Sequence, residues 1–183
     1  NTLQYALAQY ARQKQISVLL TPSGKAINFP NKYSPDSVAY LFRSLRISRS
    51  TELIKIYSTF LNAEIEKFEE NVIDMNKGIV KNTHFSGMRD YVIVKESCYD
   101  MIMACMLSDE IDKINRMIKT TILHNSLKKY ALKKNLIKYY WNETYFRNSP
   151  TDDTLTGHCN TFPYVLGIIN DKKMIKKSLR AII

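Results

Sequence analysis

The chain has 183 residues, of which 45% are hydrophobic and 24% are charged, and its formal net charge at pH 7 is +10. This length is sufficient to bury a core, so we expect one helical domain over residues 1–183. No apolar run approaches the roughly 20 residues that cross a bilayer, so the sequence predicts neither a transmembrane helix nor a membrane partner.

Charge is distributed unevenly along the chain. Residues 1–50 carry seven basic and one acidic side chain, residues 51–112 carry six and twelve, and residues 113–183 carry fourteen and four. The basic final third could supply one face that binds nucleic acid. It could equally attract the acidic middle segment, either within one molecule or in a second copy.

The first elements in the chain are a helix and a hairpin. Thr2 can cap a helix whose apolar residues recur every three or four positions. Ile16–Leu20 and Ala26–Phe29 flank a turn signal, and we predict that they pair as a small β-hairpin.

A second helix is predicted from Ser34, because this serine cap is followed by a proline and an acid in the first turn. Three arginines, Arg43, Arg46 and Arg49, flank its buried side. We interpret them as a solvated face rather than as a phosphate clamp.

The clearest helical pattern begins at Ser50 or Thr51, with apolar residues at spacings of three or four as far as Met75. Lys77-Gly78 is predicted to end this helix. We expect an acidic contact face on its outer side, which consists of Glu64, Glu66, Glu69, Glu70 and Asp74.

Three more helices are expected in the centre of the chain. Met88–Leu107 shows one helical stripe, although Tyr91–Val94 alone could be a strand, and another helix is predicted from Ser108. A single helix is predicted over Leu127–Phe146, which combines five lysines, four tyrosines and the only tryptophan.

The end of the chain is predicted to contain a loop and a last helix. We expect a polar loop over Asn148–Thr161, a strand or buried turn over Phe162–Ile169, and a helix capped by Asn170 or Asp171. Together these elements predict an all-α fold, an irregular bundle of six or seven helices with a small N-terminal β-hairpin.

The last two predicted helices carry a basic contact face, which consists of Lys128, Lys129, Lys133, Lys134, Lys138, Lys172, Lys173, Lys176, Lys177 and Arg180. Such cations could neutralise phosphates while nearby aromatic rings stack on unpaired bases. The alternative is structural: the lysines form a solvated face while Tyr130, Ile137, Tyr140 and Trp141 enter the core.

No residue spacing indicates a catalytic or metal site. The three histidines and three cysteines show no CxxC, HxxxH or HExxH pattern, so we predict no enzyme activity, metal or cofactor. Cys98 and Cys105 lie two helical turns apart, about 10 Å, which is too far for a mutual disulfide. Cys159 lies in the predicted polar loop and is expected to be exposed, as an intermolecular disulfide or a free thiol.

Several features extend over the whole chain: its size, its predicted helicity, its twelve tyrosines, the placement of its cysteines, and its abundance of lysine, isoleucine and asparagine. In these respects it resembles a polyhedrin of the nudivirus kind, the occlusion-body matrix protein of a large insect DNA virus. The resemblance implies a structural protein that assembles with itself, encloses virions in the infected cell and dissolves at alkaline pH.

The residues suggest how such a lattice could dissolve. Tyrosine deprotonates near pH 10 and lysine slightly above it, so high pH would charge packed phenols and weaken lysine–carboxylate contacts. The candidate alkaline switch consists of Tyr130, Tyr139, Tyr140 and Tyr145. The alternative function is an intracellular nucleic-acid-binding protein that uses the basic contact face.

Overall fold

The computed structural model describes residues 2–87 and 93–183. Its α-helices are α1 (Thr2–Gln13), α2 (Pro35–Ile47), α3 (Thr51–Ile56), α4 (Ser58–Val72), α5 (Cys98–Ile118), α6 (Leu132–Tyr140), α7 (Gly157–Val165) and α8 (Lys172–Ile182). A 3-10 helix covers Ser126–Tyr130. Three antiparallel hairpins pair β1 (Leu19–Leu20) with β2 (Ala26–Ile27), β3 (Ile73–Asp74) with β4 (Ile79–Val80), and β5 (Arg147–Ser149) with β6 (Asp152–Leu155). This mainly helical bundle confirms the predicted fold class, with eight α-helices in the described residues.

Helix α5 is the centre of the fold. Most of its side chains are buried, and α2 packs along it. Tyr99 Oη donates a hydrogen bond to Asp36 Oδ2 at 3.2 Å near the start of both helices, and Arg46, in the last turn of α2, contacts Glu110, in the second half of α5. The two helices therefore run parallel, and the end of α2 lies beside the second half of α5.

Local capping signals located several helices correctly. The Ser34 side chain accepts from Ser37 N at the start of α2, and Asp171 accepts from Lys173 N and Met174 N at the start of α8. The N-terminal hairpin is also present, although only two residues of each strand pair.

Helix α5 corrects the prediction of two helices in the centre of the chain. The helix begins after Ser97, which caps it, and passes through Ser108 without a break. Ser108 is not a cap because its Oγ and carbonyl oxygen bond to Asn125, while the apolar stripe continues inward. Residues 88–92 lie outside the described residues, so the predicted helix start at Met88 and half of the alternative strand do too.

The predicted continuous helix from Ser50 or Thr51 to Met75 is wrong in two places. Tyr57, with φ −100° and ψ 15°, separates α3 from α4. The second helix ends at Val72 because the buried Ile73 pairs with Val80 in a hairpin. Gly78, at φ +65°, lies in this hairpin turn, and Met75 is 55% exposed rather than part of a buried seam.

The basic-aromatic stretch is not one helix. Ala131 has a left-handed conformation, φ 49° and ψ 43°, and divides the 3-10 helix from α6. This break allows Leu127 and Leu132 to be buried on both sides of it. After Tyr140 the chain turns back, because Asn142 Oδ1 accepts hydrogen bonds from the next backbone N–H groups.

The predicted polar loop and apolar run near the end of the chain are also corrected. The loop contains the β5–β6 hairpin and the first turn of α7, and the apolar run continues that helix to Val165. Asn160 fixes this arrangement, because its side chain accepts from Phe146 N at 2.6 Å and donates to Phe146 O at 2.8 Å. In the described residues, no helix is long and apolar enough to cross a membrane.

Candidate anion-binding surface

Half of the predicted basic contact face is partly neutralised by carboxylates of the same molecule. Salt bridges join Lys128 to Asp112 at 3.0 Å, Lys129 to Glu69 at 2.6 Å and Lys133 to Asp109 at 2.7 Å. The acidic middle segment and the basic final third thus attract each other within one chain. The remaining lysines of this half are Lys134, which is exposed, and Lys138, whose ammonium lies 4.7 Å from the Tyr139 ring centroid.

Two of the five members of the predicted acidic contact face, Glu64 and Glu69, are buried rather than on the outer side of the helix. Glu64 is 1% exposed and accepts a hydrogen bond from Ile16 N at 3.0 Å, and Glu69 is 7% exposed and accepts one from Tyr130 Oη at 2.5 Å. These carboxylates stabilise the fold. Glu66 and Glu70 are exposed, and Asp74 accepts two backbone N–H groups of the β3–β4 turn.

The other half of the basic contact face lies on α8. Its cations, Lys172, Lys173, Lys176, Lys177 and Arg180, are all exposed. Lys177 Nζ donates to the Glu143 carbonyl oxygen at 2.7 Å, which joins α8 to the turn after α6. Among the described residues, no carboxylate forms a salt bridge with these five cations.

A stronger concentration of charge lies where α2 and α5 end. Glu110, with its side chain fully buried, accepts contacts at Oε1 from Arg43 Nη1 at 3.3 Å, Arg46 Nη2 at 3.2 Å and Lys113 Nζ at 3.2 Å. Arg46 Nε contacts the second carboxylate oxygen. Three cations therefore share one carboxylate and leave two positive charges unmatched.

Burial alone would raise the pKa of Glu110. Hydrogen bonds from Arg46 and Lys113, together with their positive charges, overcome this effect and hold the pKa below its ordinary value. Glu110 is therefore ionised at neutral pH and fixes the three cations, whose side chains are between 25% and 33% exposed. This fixation reduces the conformational entropy that the cations would lose on binding an anion.

Two rows of cations with the same spacing meet here. Arg43, Arg46 and Arg49 follow one another every third residue, and so do Lys113, Arg116 and Lys119. We call these six residues the α2–α5 basic surface. A solvated face was predicted for the first row, and no role was predicted for the second. The equal three-residue spacing of the two rows is visible in the sequence and could have indicated two similar basic faces. It does not show that α2 and α5 are neighbours.

Two open depressions on this surface adjoin at Arg116, which lines both. The first, about 660 Å³, is lined by Arg46, Ile47, Arg49, Lys113, Arg116 and Met117. The second, about 690 Å³, is lined by Asp112, Asn115, Arg116, Lys119, Thr120, Thr121, Leu123, His124, Asn125 and Lys128. Neither lining contains Phe, Tyr or Trp, so the region suits phosphate groups better than stacked bases.

Part of this charge has a structural role. The C-terminal ends of α2 and α5 carry partial negative charge, which nearby cations stabilise. That role accounts for one or two cations at each end, whereas the rows contain six. The described residues hold no group of three or more His, Cys, Asp or Glu side chains that could bind a metal ion.

The prediction that Cys159 is exposed is wrong. Its side chain is fully buried in the first turn of α7, next to that of Cys98. Cys98 and Cys105 are buried, as expected. An intermolecular disulfide at Cys159 would require α7 to open.

Two residues of the candidate alkaline switch are internal. Tyr140 is fully buried, and burial raises the pKa of its phenol well above the ordinary value. Burial and a hydrogen bond to Glu69 also raise the pKa of Tyr130. Ionisation of these two phenols is therefore less favourable than that of an exposed tyrosine. Tyr139 and Tyr145 are half-buried.

This chain does not match any known protein family, curated protein or solved structure.

Proposed function

We propose that the protein binds the phosphate backbone of nucleic acid through the α2–α5 basic surface. The observation that carries this proposal is the convergence of two cationic rows on one buried carboxylate. Six cations and one carboxylate give the surface a local net charge of +5. Arginine is suited to this role because its planar fork can bind phosphate oxygens in pairs.

The proposed binding does not depend on base sequence. Phosphate contacts fix the position of a protein on nucleic acid, whereas base edges or stacked rings carry sequence information. The two depressions offer cations and small polar groups, and the imidazole of His124 is the one aromatic ring in their linings. Six phosphate contacts predict that log K falls with log salt at a slope of about −5 on a DNA duplex.

A charge-reversal pair tests this function. Arg49 and Arg116 are exposed and form no salt bridge with a described carboxylate, so Arg49→Glu with Arg116→Glu should leave the fold intact. The measurement is fluorescence anisotropy of a labelled DNA duplex between about 50 and 200 mM salt. We expect the double variant to lose at least about tenfold in affinity and to show a shallower salt slope, since about two phosphate contacts disappear.

The matched control is Lys25→Glu with Lys32→Glu, which changes net charge equally. Both lysines are exposed, and they precede α2 at the end opposite its basic row. The control should bind within about twofold of the wild type. Equal losses of DNA affinity in the two double variants would show that only net charge matters, and would reject the α2–α5 basic surface as the binding site.

Self-assembly into an occlusion-body lattice is our second proposal, and the α7–α8 end of the molecule favours it. Apolar side chains remain accessible there: Val165 is 75% exposed, Leu179 44% and Ile182 40%. Five exposed cations lie on α8 and could contact acidic residues of another copy. Light scattering from about pH 7 to about pH 11 should then show large assemblies that dissolve as lysine loses its charge. A monomer at every pH would reject this proposal.

A further inference from the structure

Two cysteines that are distant in sequence meet in the core. Cys98 is the first residue of α5, and Cys159 lies in the first turn of α7. Both side chains are fully buried, and they are electrostatic neighbours. The rings of the adjacent residues Tyr99 and His158 are in edge contact, with their centroids 5.6 Å apart. Helices α5 and α7 pack against each other, so the contact belongs to the folded core rather than to a loop.

The two sulfur atoms have different surroundings. Burial and the neighbouring Cys159 raise the pKa of Cys98. Burial also opposes ionisation of Cys159, but hydrogen bonds from Cys98 and His158 lower its pKa below the ordinary value. The pair therefore contains one thiol that ionises first and one that keeps its proton, which are the roles of attacking and resolving thiols in disulfide exchange.

We propose that Cys98 and Cys159 form an intramolecular disulfide that fastens α7 to α5. The oxidant is a low-molecular-weight disulfide such as oxidised glutathione. The Cys159 thiolate attacks one sulfur of the oxidant, which releases one glutathione thiol and leaves a mixed disulfide. Cys98 then attacks the Cys159 sulfur and releases the second glutathione. The protein loses two thiol protons and two electrons, and the oxidant gains them.

Because both thiols are buried, α7 must open before the oxidant can reach them. Once formed, the bond closes a loop that contains α6 and the β5–β6 hairpin. A cross-link of this length restricts the unfolded chain, so the oxidised protein should melt at a higher temperature than the reduced protein. This inference is independent of the proposed function.

The test incubates the full chain with oxidised or reduced glutathione and counts free thiols after denaturation. We expect three thiols in the reduced protein and one in the oxidised protein, with no covalent dimer. Tryptic peptides 96–113 and 148–172 should appear as one cross-linked species. Because the first peptide contains both Cys98 and Cys105, the same experiment on Cys105→Ala assigns the bond.

The cross-link should persist in Cys105→Ala and be absent from Cys98→Ala and Cys159→Ala. If either of the last two variants does not fold, the wild type and Cys105→Ala still decide the matter. Three free thiols after oxidation, a cross-link through Cys105, or dimers in place of the internal bond would each overturn the proposal.

Discussion

At the scale of single residues, the buried carboxylate of Glu110 is expected to have the largest effect on the stability of the fold. It is the shared partner of Arg43, Arg46 and Lys113, and removal of its charge leaves these cations opposed only by solvent and helix ends. Breaking a buried ion pair on one side is strongly destabilising. The same residue therefore connects stability with the arrangement of the basic surface.

We predict that Glu110→Gln lowers the free energy of unfolding by about 3 kcal/mol at neutral pH. Because the pKa of Glu110 is lowered in the folded state, its stabilisation is present above the unfolded pKa and is lost as pH falls through the folded pKa. The difference between variant and wild type in urea denaturation should therefore shrink towards acid pH. Glu66→Gln, an exposed change on α4, should have little effect at any pH. A pH-independent loss in Glu110→Gln would contradict this electrostatic account.

Two buried tyrosines provide a second test at the residue scale. Among the described residues, the Tyr140 hydroxyl has no hydrogen-bond partner, whereas Tyr130 donates to Glu69 at 2.5 Å. We predict that Tyr140→Phe preserves stability or raises it by about 1 kcal/mol, and that Tyr130→Phe lowers it by about 1–3 kcal/mol. Thermal and urea denaturation of the two variants measure this contrast. Equal losses in both variants would show that the phenol of Tyr140 is paired.

At the scale of elements, helix starts could be predicted and helix breaks could not. Ser34 and Asp171 act through local hydrogen bonds, so the local sequence is sufficient to locate the starts of α2 and α8. The breaks at Tyr57 and Ala131 depend on where buried neighbours lie after packing. Ser108 shows the opposite error. Its sequence resembles a helix cap, but it lies inside α5, where its carbonyl oxygen accepts a hydrogen bond from Asn125.

Ala131 gives a prediction whose sign distinguishes a broken helix from a continuous one. A glycine at a left-handed position removes backbone strain, so Ala131→Gly should stabilise the protein by about 0.5–1 kcal/mol. In a continuous helix the same change would cost about 1 kcal/mol. Ala63→Gly, within α4, should show that helical cost in the same urea titration. Destabilisation by Ala131→Gly would indicate that residues 126–140 form one helix.

At the scale of the whole molecule, the sequence predicted which segments carry excess charge, but not where on the folded surface the unpaired cations gather. The acidic and basic segments pair within the chain at Lys128, Lys129 and Lys133, so fewer lysines of Leu127–Phe146 remain free to bind another molecule. The α2–α5 basic surface could not be predicted because its two rows lie about 70 residues apart in sequence. Only the parallel packing of α2 and α5 brings them together.

The central claim, that nucleic acid lies on this surface, is tested most directly by a lysine footprint. The protein is acetylated with and without a DNA duplex, and the modification of each lysine is measured by mass spectrometry. We predict that Lys119 and Lys113 lose reactivity in the complex while Lys25 and Lys173 retain it. Protection confined to the lysines of α8, or equal protection of all exposed lysines, would contradict the account.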